Sequence, residues 1–422
     1  MIRVNFPRFL FRAFLLWVFL LRGPLHSGAE PLYSPTWGFR MDPPEEYALS
    51  GGDAKNQFSF RSPFGTFLDL SVHTGKTALS VEALAGELEK KLSNSGRKSS
   101  FDYYGKKALF MELSFPNPRQ RNSSYTGWAL CIELDRPPGE TKTPPLLFAM
   151  AYGPNREDTG LHLSCLDSFS TGEGDRRLPG PWTAFKYPPG EWTLKSLYGT
   201  EAKAYFRRGD AEAAQALVDR EFEVLKRYLS SPRWQEAWRR FYRAIYRDAF
   251  DRLTNAAFIL ERQWNLPALD GPDLLPGAEE KTPSAAEAEK ALGSRDAEAR
   301  RIAEKALQWV QGFSYERDLM GSDFVNLVSA VQEGRGDCDS RAMLWALILE
   351  HAGIPAAMMV SRDYSHAMGL ADLGGGGARF PVKREDGGET RWLVAETTAQ
   401  VSLGLIGEGV SEISKWLAVM FE

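Results

Sequence analysis

Residues 331–355 read VQEGRGDCDSRAMLWALILEHAGIP, and this stretch decides the fold of the C-terminal part of the chain. Two glycines lead into Asp337, a preferred N-cap residue type, and a largely apolar run follows. The GIP sequence that begins at Gly353 is typical of a helix end, because Gly readily adopts the left-handed conformation there and Pro cannot continue the helix. The pattern therefore predicts a helix from Cys338 to about His351.

Cys338 falls in the first turn of this helix, a setting that favours a reactive thiolate. The unpaired backbone N–H groups and the dipole at a helix N-terminus favour negative charge and lower the pKa of a thiol. A thiolate is a strong nucleophile, and a neighbouring imidazole stabilises it as an ion pair. We interpret Cys338 as a nucleophile, and a small buried core cysteine is the alternative.

Two strand-like segments after the helix supply a base and an acid. SHAMGL contains His366, and RWLVAETT contains Glu396. If the two strands are adjacent and antiparallel, the carboxylate lies beside the imidazole and fixes its orientation, as in other nucleophile–base–orienter triads. The alternatives are a strand histidine satisfied by its neighbours and a surface carboxylate.

The three segments together resemble the transglutaminase-like superfamily, which belongs to the papain-type cysteine enzymes. In that family a glycine-led cysteine opens a helix that ends in a GIP turn, the histidine precedes a small residue, and an Asp or Glu precedes a Thr. The resemblance covers roughly residues 303–407 and implies a nucleophile helix packed on an antiparallel sheet. It also implies that Cys338 is the nucleophile, His366 the general base and acid, and Glu396 the orienter.

Gln332 is a candidate oxyanion donor, because it precedes Cys338 by six residues, a papain-like spacing. Such a donor would face the charge that develops on the attacked carbonyl. A solvent-facing loop glutamine is the alternative, and the backbone N–H of Cys338 is a second candidate donor. The chain departs from the family pattern at Met368, where an aromatic residue or Val is common, and at Ser340, where an acid is common.

Two hypotheses for the function follow from these residues. The first is an exported cysteine hydrolase, a protease or amidase with acyl transfer as a variant, that acts on amide bonds of protein or peptide through a thioester. The second is a catalytically silent transglutaminase-like fold that binds peptides or serves as a scaffold. The sequence has no zinc-type Cys or His spacing, no phosphate-binding loop and no GxGxxG, so we expect neither a cofactor nor a metal.

The N-terminus has the order of a secretory signal peptide. Arginines come first, an apolar stretch runs from Ala13 to Leu21, and small residues lead to a cleavage point after Ala29. The apolar stretch is much shorter than the roughly 20 residues that span a bilayer. We therefore predict a signal peptide over residues 1–29 and a periplasmic or extracellular protein without stable membrane insertion after cleavage; an uncleaved anchor is the alternative.

The composition is that of a globular protein of two or three domains. The 422 residues are 43% hydrophobic and 25% charged, with 51 Lys and Arg against 55 Asp and Glu. This mildly acidic balance does not favour nucleic acid as a partner, so the expected partner is a protein or peptide substrate. The oligomeric state is left open.

Cys131 and Cys165 either pair in an oxidising compartment or lie buried as free thiols.

The pattern of apolar residues predicts an α+β protein. The expected parts are an α+β sandwich domain over residues 30–190, a helical region over 191–266, a linker over 267–284 and the transglutaminase-like domain over 285–422. One face of the helical region carries Arg239, Arg243 and Arg247, which we interpret as a solvated face, with contact to an anionic surface or membrane as the alternative.

Overall fold

The computed structural model describes residues 31–53, 55–75, 80–94, 96–117, 123–136, 143–265, 285–316, 322–383 and 387–421. The predicted signal peptide over 1–29 and the predicted linker over 267–284 lie outside the described residues. The chain combines helices with several antiparallel sheets, so the α+β class is confirmed.

Alternation of apolar and polar residues produces a large sheet in the first part of the chain. The elements are β1 (Leu32–Tyr33), β2 (Arg40–Met41), β3 (Ala48–Gly52), β4 (Gln57–Arg61), β5 (Phe67–His73), α1 (Val81–Leu92), β6 (Lys98–Tyr103), β7 (Lys106–Pro116), β8 (Ser124–Glu133) and β9 (Leu146–Gly153). Strands β3 to β9 form a seven-stranded antiparallel sheet in the order β3-β4-β5-β9-β8-β7-β6. The side chain of Ser80 caps α1 by accepting a hydrogen bond from Ala83 N at 3.1 Å.

Both faces of this sheet are covered by helices. Val81 and Leu84 of α1 lie in the hydrophobic cluster on one face. Helix α2 (Thr159–Asp167) contributes Cys165 and Leu166 to the cluster on the other face, and α3 (Pro181–Lys186) follows it. The sheet is therefore buried on both sides, as a layered α+β arrangement requires.

The region predicted as helical begins with a β-hairpin, so the prediction is wrong for its first residues. Strands β10 (Trp192–Ser196) and β11 (Lys203–Arg207) pair antiparallel, and Ala204 and Phe206 are buried on the side facing the following helices. The hairpin forms strands instead of a helix because the residues of β11 alternate between exposed and buried positions and both strands include aromatic residues, which favour strands. The helices are α4 (Asp210–Lys226) and α5 (Trp234–Asn265), as the pattern predicts.

The arginine face of α5 is half-buried and bonds other parts of the chain, so the interpretation as a solvated face is wrong; contact with an anionic surface or membrane stays a prediction. Arg239 Nε donates to the carbonyl of Ala418 at 3.1 Å. Arg243 makes two bonds to Asp42 at 2.8 and 2.9 Å, and Arg247 donates to three backbone carbonyls. Helix α5 thus ties the first part of the chain to its C-terminus.

The C-terminal part packs helices against a second sheet. Its elements are α6 (Ala285–Gln311), β12 (Ser314–Tyr315), α7 (Leu327–Glu333), β13 (Arg335–Gly336), α8 (Cys338–His351), β14 (Ala356–Ser361), β15 (His366–Ala371), β16 (Arg379–Lys383), β17 (Glu389–Ala395) and β18 (Leu417–Val419). The five strands β14 to β18 form an antiparallel sheet in the order β16-β17-β15-β14-β18. Helix α8 packs on this sheet through β14 and β15.

The middle and C-terminal helices share one hydrophobic cluster with the second sheet. Contacts group residues 31–422 into one compact unit. The domain boundaries drawn from the sequence stay predictions.

Cys131, Cys165 and Cys338 are all buried free thiols, so the first two do not pair. None of the described helices combines the length and the apolar character that crossing a bilayer requires.

Candidate active site

Cys338 lies at the start of α8, as predicted. Asp337 is the N-cap: its side chain accepts a hydrogen bond from the backbone N–H of Ser340 at 2.8 Å and also bonds the Ser340 hydroxyl. The helix ends at His351, and Gly353 adopts a left-handed φ of 73°. Cys338 itself is 7% exposed.

His366 and Glu396 are in contact, which confirms the predicted juxtaposition. Strands β15 and β17 pair antiparallel with Gly369 opposite Ala395, so Glu396, directly after β17, reaches the start of β15. The distance between His366 Nε2 and Glu396 Oε2 is 2.8 Å. The geometry that an orienting carboxylate needs is therefore present.

The second carboxylate oxygen of Glu396 is fixed by Thr398. Glu396 Oε1 accepts from the Thr398 backbone N–H at 2.8 Å and from its hydroxyl at 2.6 Å. Burial raises the pKa of Glu396, but the hydrogen bond and charge of His366, together with the bonds from Thr398, outweigh burial and hold the pKa below its usual value. Glu396 is therefore a carboxylate at neutral pH.

The thiol of Cys338 lies next to the histidine strand. The backbone of Ala367, the residue after His366, lies close enough to the sulfur to lower the pKa of the thiol. The imidazole of His366 keeps 18% of its side chain exposed. Cys338, His366 and Glu396 thus come from α8, β15 and the residue after β17. Among the described residues His366 is hydrogen-bonded to Glu396, whereas the thiol of Cys338 is hydrogen-bonded to Asp339 and not to the imidazole.

The electrostatic setting of the thiol is opposite to the one expected from a helix N-terminus. Burial raises the pKa of Cys338 well above its usual value, and the carboxylates of Asp339 and Asp337 raise it further. The N–H of Ala367 opposes them but does not reverse the shift. Burial is the largest cause of this shift, and the two flanking acids add to it, so the result is opposite in sign to the effect of the helix dipole. Burial also raises the pKa of Asp337 to about 8 and the pKa of Asp339 above its usual value.

Asp339 is a hydrogen-bond partner of the thiol. The Cys338 thiol donates to Asp339, with 3.5 Å between Sγ and Oδ1. The hydroxyl of Tyr242, a buried residue of α5, donates to Asp339 Oδ2 at 2.7 Å. Both carboxylate oxygens of Asp339 are therefore occupied.

Two further groups border the site. Arg341 is buried; it donates to the carbonyls of Gly336 and Phe313, and its guanidinium lies 5.5 Å from the ring centre of the exposed Tyr315. On the other side, the ring of Trp416 lies 6.1 Å from that of His366. An aromatic ring thus borders His366, and another borders Arg341.

Gln332 lies in α7 and is half-buried, and its side chain makes no hydrogen bond to another described residue. The role of Gln332 as an oxyanion donor stays a prediction.

Met368 is fully buried in the cluster on the outer face of the second sheet, where it contributes to packing and not to the site. Within the described residues, no group of three or more His, Cys, Asp or Glu side chains is placed to hold a metal ion.

Sequence reasoning did not identify Tyr242, Thr398 or Trp416 as neighbours of the site. Thr398 belongs to the ETT segment that marks the acid strand, so its position was a usable signal. Tyr242 and Trp416 come from distant parts of the chain, and only the tertiary fold brings them to the site.

Comparisons with known proteins find similarity only among solved structures. No protein-family model matches the chain, and no curated protein matches it significantly. Among solved structures, cyanobacterial PsbP (CyanoP) from Synechocystis sp. PCC 6803 matches at 10% identity and a TM-score of 0.26, over 35% of this chain and 96% of that chain. A protein from Bacteroides thetaiotaomicron VPI-5482 matches at 12% identity and a TM-score of 0.24, over 51% of this chain and 77% of that one. Similarities this low decide neither fold nor function.

Proposed function

We propose that this chain is an exported cysteine hydrolase with a transglutaminase-like C-terminal domain, and that it acts on amide bonds of proteins or peptides. The observation that carries the proposal is the 2.8 Å contact between His366 Nε2 and Glu396 Oε2. Cys338 opens the helix that packs on the strand of His366. A lone residue of any of these types would indicate little, but all three converge on one helix-on-sheet unit.

In the proposed reaction, Cys338 Sγ attacks the substrate carbonyl while its proton passes to His366. The S–C bond forms, the imidazolium then protonates the leaving amine, and the C–N bond breaks to give a thioester. Water adds to the thioester with His366 as the base; the S–C bond breaks, the carboxylic acid leaves and the thiol is restored. Glu396 stabilises the imidazolium in both halves of the reaction. An amine in place of water would give acyl transfer.

The raised pKa of Cys338 favours one form of this mechanism. A thiol that is neutral at rest does not form a stable ion pair with the imidazole in advance. We therefore propose that His366 removes the proton as the sulfur attacks, as a general base does for a hydroxyl nucleophile. The N–H of Cys338 and the side chain of Gln332 are the candidate donors to the developing oxyanion.

The proposal is tested by incubating the purified mature chain with a proteome-derived peptide library and an added primary amine. Mass spectrometry then reads new peptide termini and amine incorporation. We expect products with the wild-type chain and none with Cys338→Ala or His366→Ala, whereas Glu389→Gln, an exposed acid at the far end of β17, should act like wild type. Products that persist in the Cys338→Ala chain would show that another residue is responsible.

One observation favours the second candidate, a silent peptide-binding or scaffolding module. A buried, neutral thiol with two acidic neighbours is a poor resting nucleophile. Binding of library peptides to wild type and Cys338→Ala alike, with no product from either, would support this candidate.

Export is a separate part of the proposal. It rests on the basic, apolar and small-residue order of residues 1–29. N-terminal sequencing of the secreted or periplasmic protein is expected to begin after Ala29, and a chain that retains Met1 would contradict it.

A further inference from the structure

Asp339 occupies a position that the proposed triad does not explain. Its Oδ1 accepts the hydrogen bond of the Cys338 thiol, at 3.5 Å from Sγ. A thiol has a single proton, and in this arrangement the proton points to Asp339. The proton that His366 would remove is therefore held by a different group in the resting structure.

Asp339 is itself held by a residue of another part of the fold. Its Oδ2 accepts from the Tyr242 hydroxyl at 2.7 Å, and Tyr242 is 3% exposed. Tyr242 belongs to α5, which is fixed on either side of it by the buried ion pair of Arg240 with Glu221 and by the pair of Arg243 with Asp42. The carboxylate thus has little freedom to turn away from the sulfur.

The surroundings of the thiol are dominated by acidic groups. The charged and titratable groups around Cys338 and Asp339 are Asp337 at the N-cap of α8, Arg341 on α8, Asp323 on a preceding loop, Tyr242 on α5 and His366 on β15. Arg341 also interacts with Tyr315 and Glu396. Asp339 differs from the other acids because it is the one that the Cys338 thiol hydrogen-bonds.

We propose that Asp339, positioned by Tyr242, keeps the Cys338 thiol in a resting state by holding its proton away from His366. The inference rests on the proposed function, since it concerns the nucleophile of the same site. For reaction, the S–H bond must turn from Asp339 Oδ1 to the imidazole; the S–H bond then breaks, an N–H bond forms on His366, and the carboxylate remains charged beside the imidazolium. Asp339 is therefore a positioning residue. Its negative charge disfavours the thiolate form of Cys338 and stabilises the protonated form of His366.

This role predicts an unusual result, namely that removing an acid beside the nucleophile makes the thiol more reactive. Asn at position 339 keeps the shape and can still accept from Tyr242, but it carries no charge. Below its pKa, a thiol reacts in proportion to its thiolate fraction. Loss of one charge in contact with the sulfur is expected to raise the alkylation rate at neutral pH by about tenfold or more.

The experiment measures the rate of iodoacetamide alkylation of Cys338 against pH in the full mature chain. Trypsin releases the cysteine in the peptide Gly336–Arg341, so mass spectrometry reads this thiol apart from the other two. The variants are Asp339→Asn, Tyr242→Phe and, as a matched control, Asp337→Asn. Asp337 also raises the pKa of the thiol, but its side chain bonds Ser340 and not the sulfur. Because burial raises the pKa of Asp337 to about 8, the two acid variants are compared above that pH, where Asp337 is charged in the parent chain.

We expect the largest acceleration in Asp339→Asn, a smaller one in Tyr242→Phe, where the carboxylate is loosened but kept, and the smallest in Asp337→Asn. Equal rates for Asp337→Asn and Asp339→Asn above pH 8, where Asp337 is charged in the parent chain, would overturn the proposal in favour of a general effect of charge. Rates at or below wild type in both Asp339→Asn and Tyr242→Phe would overturn it outright. Alkylation needs no substrate, so a failure to cleave amides would count against the proposed function alone.

Discussion

Glu396 makes polar contacts through both of its carboxylate oxygens, one with His366 and the other with the N–H and hydroxyl of Thr398. A side-chain amide in its place carries no charge and accepts on one atom only. We therefore expect Glu396→Gln to lower the rate of Cys338-dependent peptide cleavage by about 10²–10⁴-fold, because the imidazolium loses its partner. The measurement is the initial rate on one cleaved library peptide, and a loss below about threefold would contradict the assigned role.

The site was predictable from sequence where chemistry and spacing coincide. Asp337, Cys338, His366 and Glu396 stand in segments whose secondary structure follows from local patterns, and the structure brings the last two into contact. The state of the thiol was not predictable in the same way. A helix N-terminus indicates a lowered pKa, and the opposite result comes from burial and from the orientation of Asp339, which only tertiary packing sets.

At the scale of elements, one glycine sets the distance between the nucleophile helix and the histidine strand. A Cβ at Gly369 on β15 would lie 2.3 Å from Cε3 of Trp345, a fully buried side chain of α8. Trp345 cannot easily move, because its Nε1 donates to the carbonyl of Ala303 at 3.0 Å. The close approach of α8 to β15 thus depends on the missing side chain.

We expect Gly369→Ala to lower the free energy of unfolding by about 1–3 kcal/mol, as overpacked cores do. Because the substitution moves α8 away from β15, Cys338-dependent cleavage should fall by more than the folded fraction explains. Urea denaturation and the cleavage rate are measured together. Gly376→Ala is the control, since a Cβ there meets no atom within 4 Å; the same loss in both variants would refute a packing effect.

Helix α5 carries a second prediction through Arg247. Its guanidinium donates to the carbonyls of Leu178, Asp167 and Phe169 at 3.0, 3.1 and 2.6 Å. Arg247→Ala leaves these acceptors without their charged donor, so the free energy of unfolding should fall by about 2–3 kcal/mol. The exposed Arg262 of the same helix is the control, and its alanine variant should stay within about 0.5 kcal/mol of wild type. If both alanine variants lower the free energy of unfolding equally, the hydrogen bonds of Arg247 do not make the special contribution expected of them.

For the whole molecule, the sequence indicated the elements better than their arrangement. Strands such as Phe67–His73 follow from alternation, and helix α8 follows from its N-cap residue and its GIP end; both kinds of signal are local. The arginines of α5 looked like a solvated face because periodicity reports only their common side, not what packs on it. Their partners lie far away in sequence, for example Asp42 for Arg243, so tertiary contacts overrode the local pattern.

A buried acid links the first part of the chain to the helices. Glu45 follows β2 and is 3% exposed, with its Oε2 3.5 Å from Arg240 Nε on α5. Arg240 makes its shorter ion pair, at 2.7 Å, with Glu221, and the Tyr228 hydroxyl donates to the backbone carbonyl of Glu45 at 2.9 Å. Burial raises the pKa of Glu45 from 4.5 to about 7; Arg240 opposes the shift, and Asp42 adds to it.

This raised pKa makes the stability of the folded chain depend on pH with a defined sign. Between pH 4.5 and about 7 the folded state holds a proton on Glu45 that the unfolded state has lost, so stability falls as pH rises through this window. The contribution is about 3 kcal/mol for a pKa raised by this amount. Glu45→Gln should therefore flatten this part of the profile of unfolding free energy against pH, as measured by urea denaturation, while Glu223→Gln, at an exposed acid, should leave it unchanged. A Glu45→Gln profile as steep as that of wild type would mean that another group binds the proton.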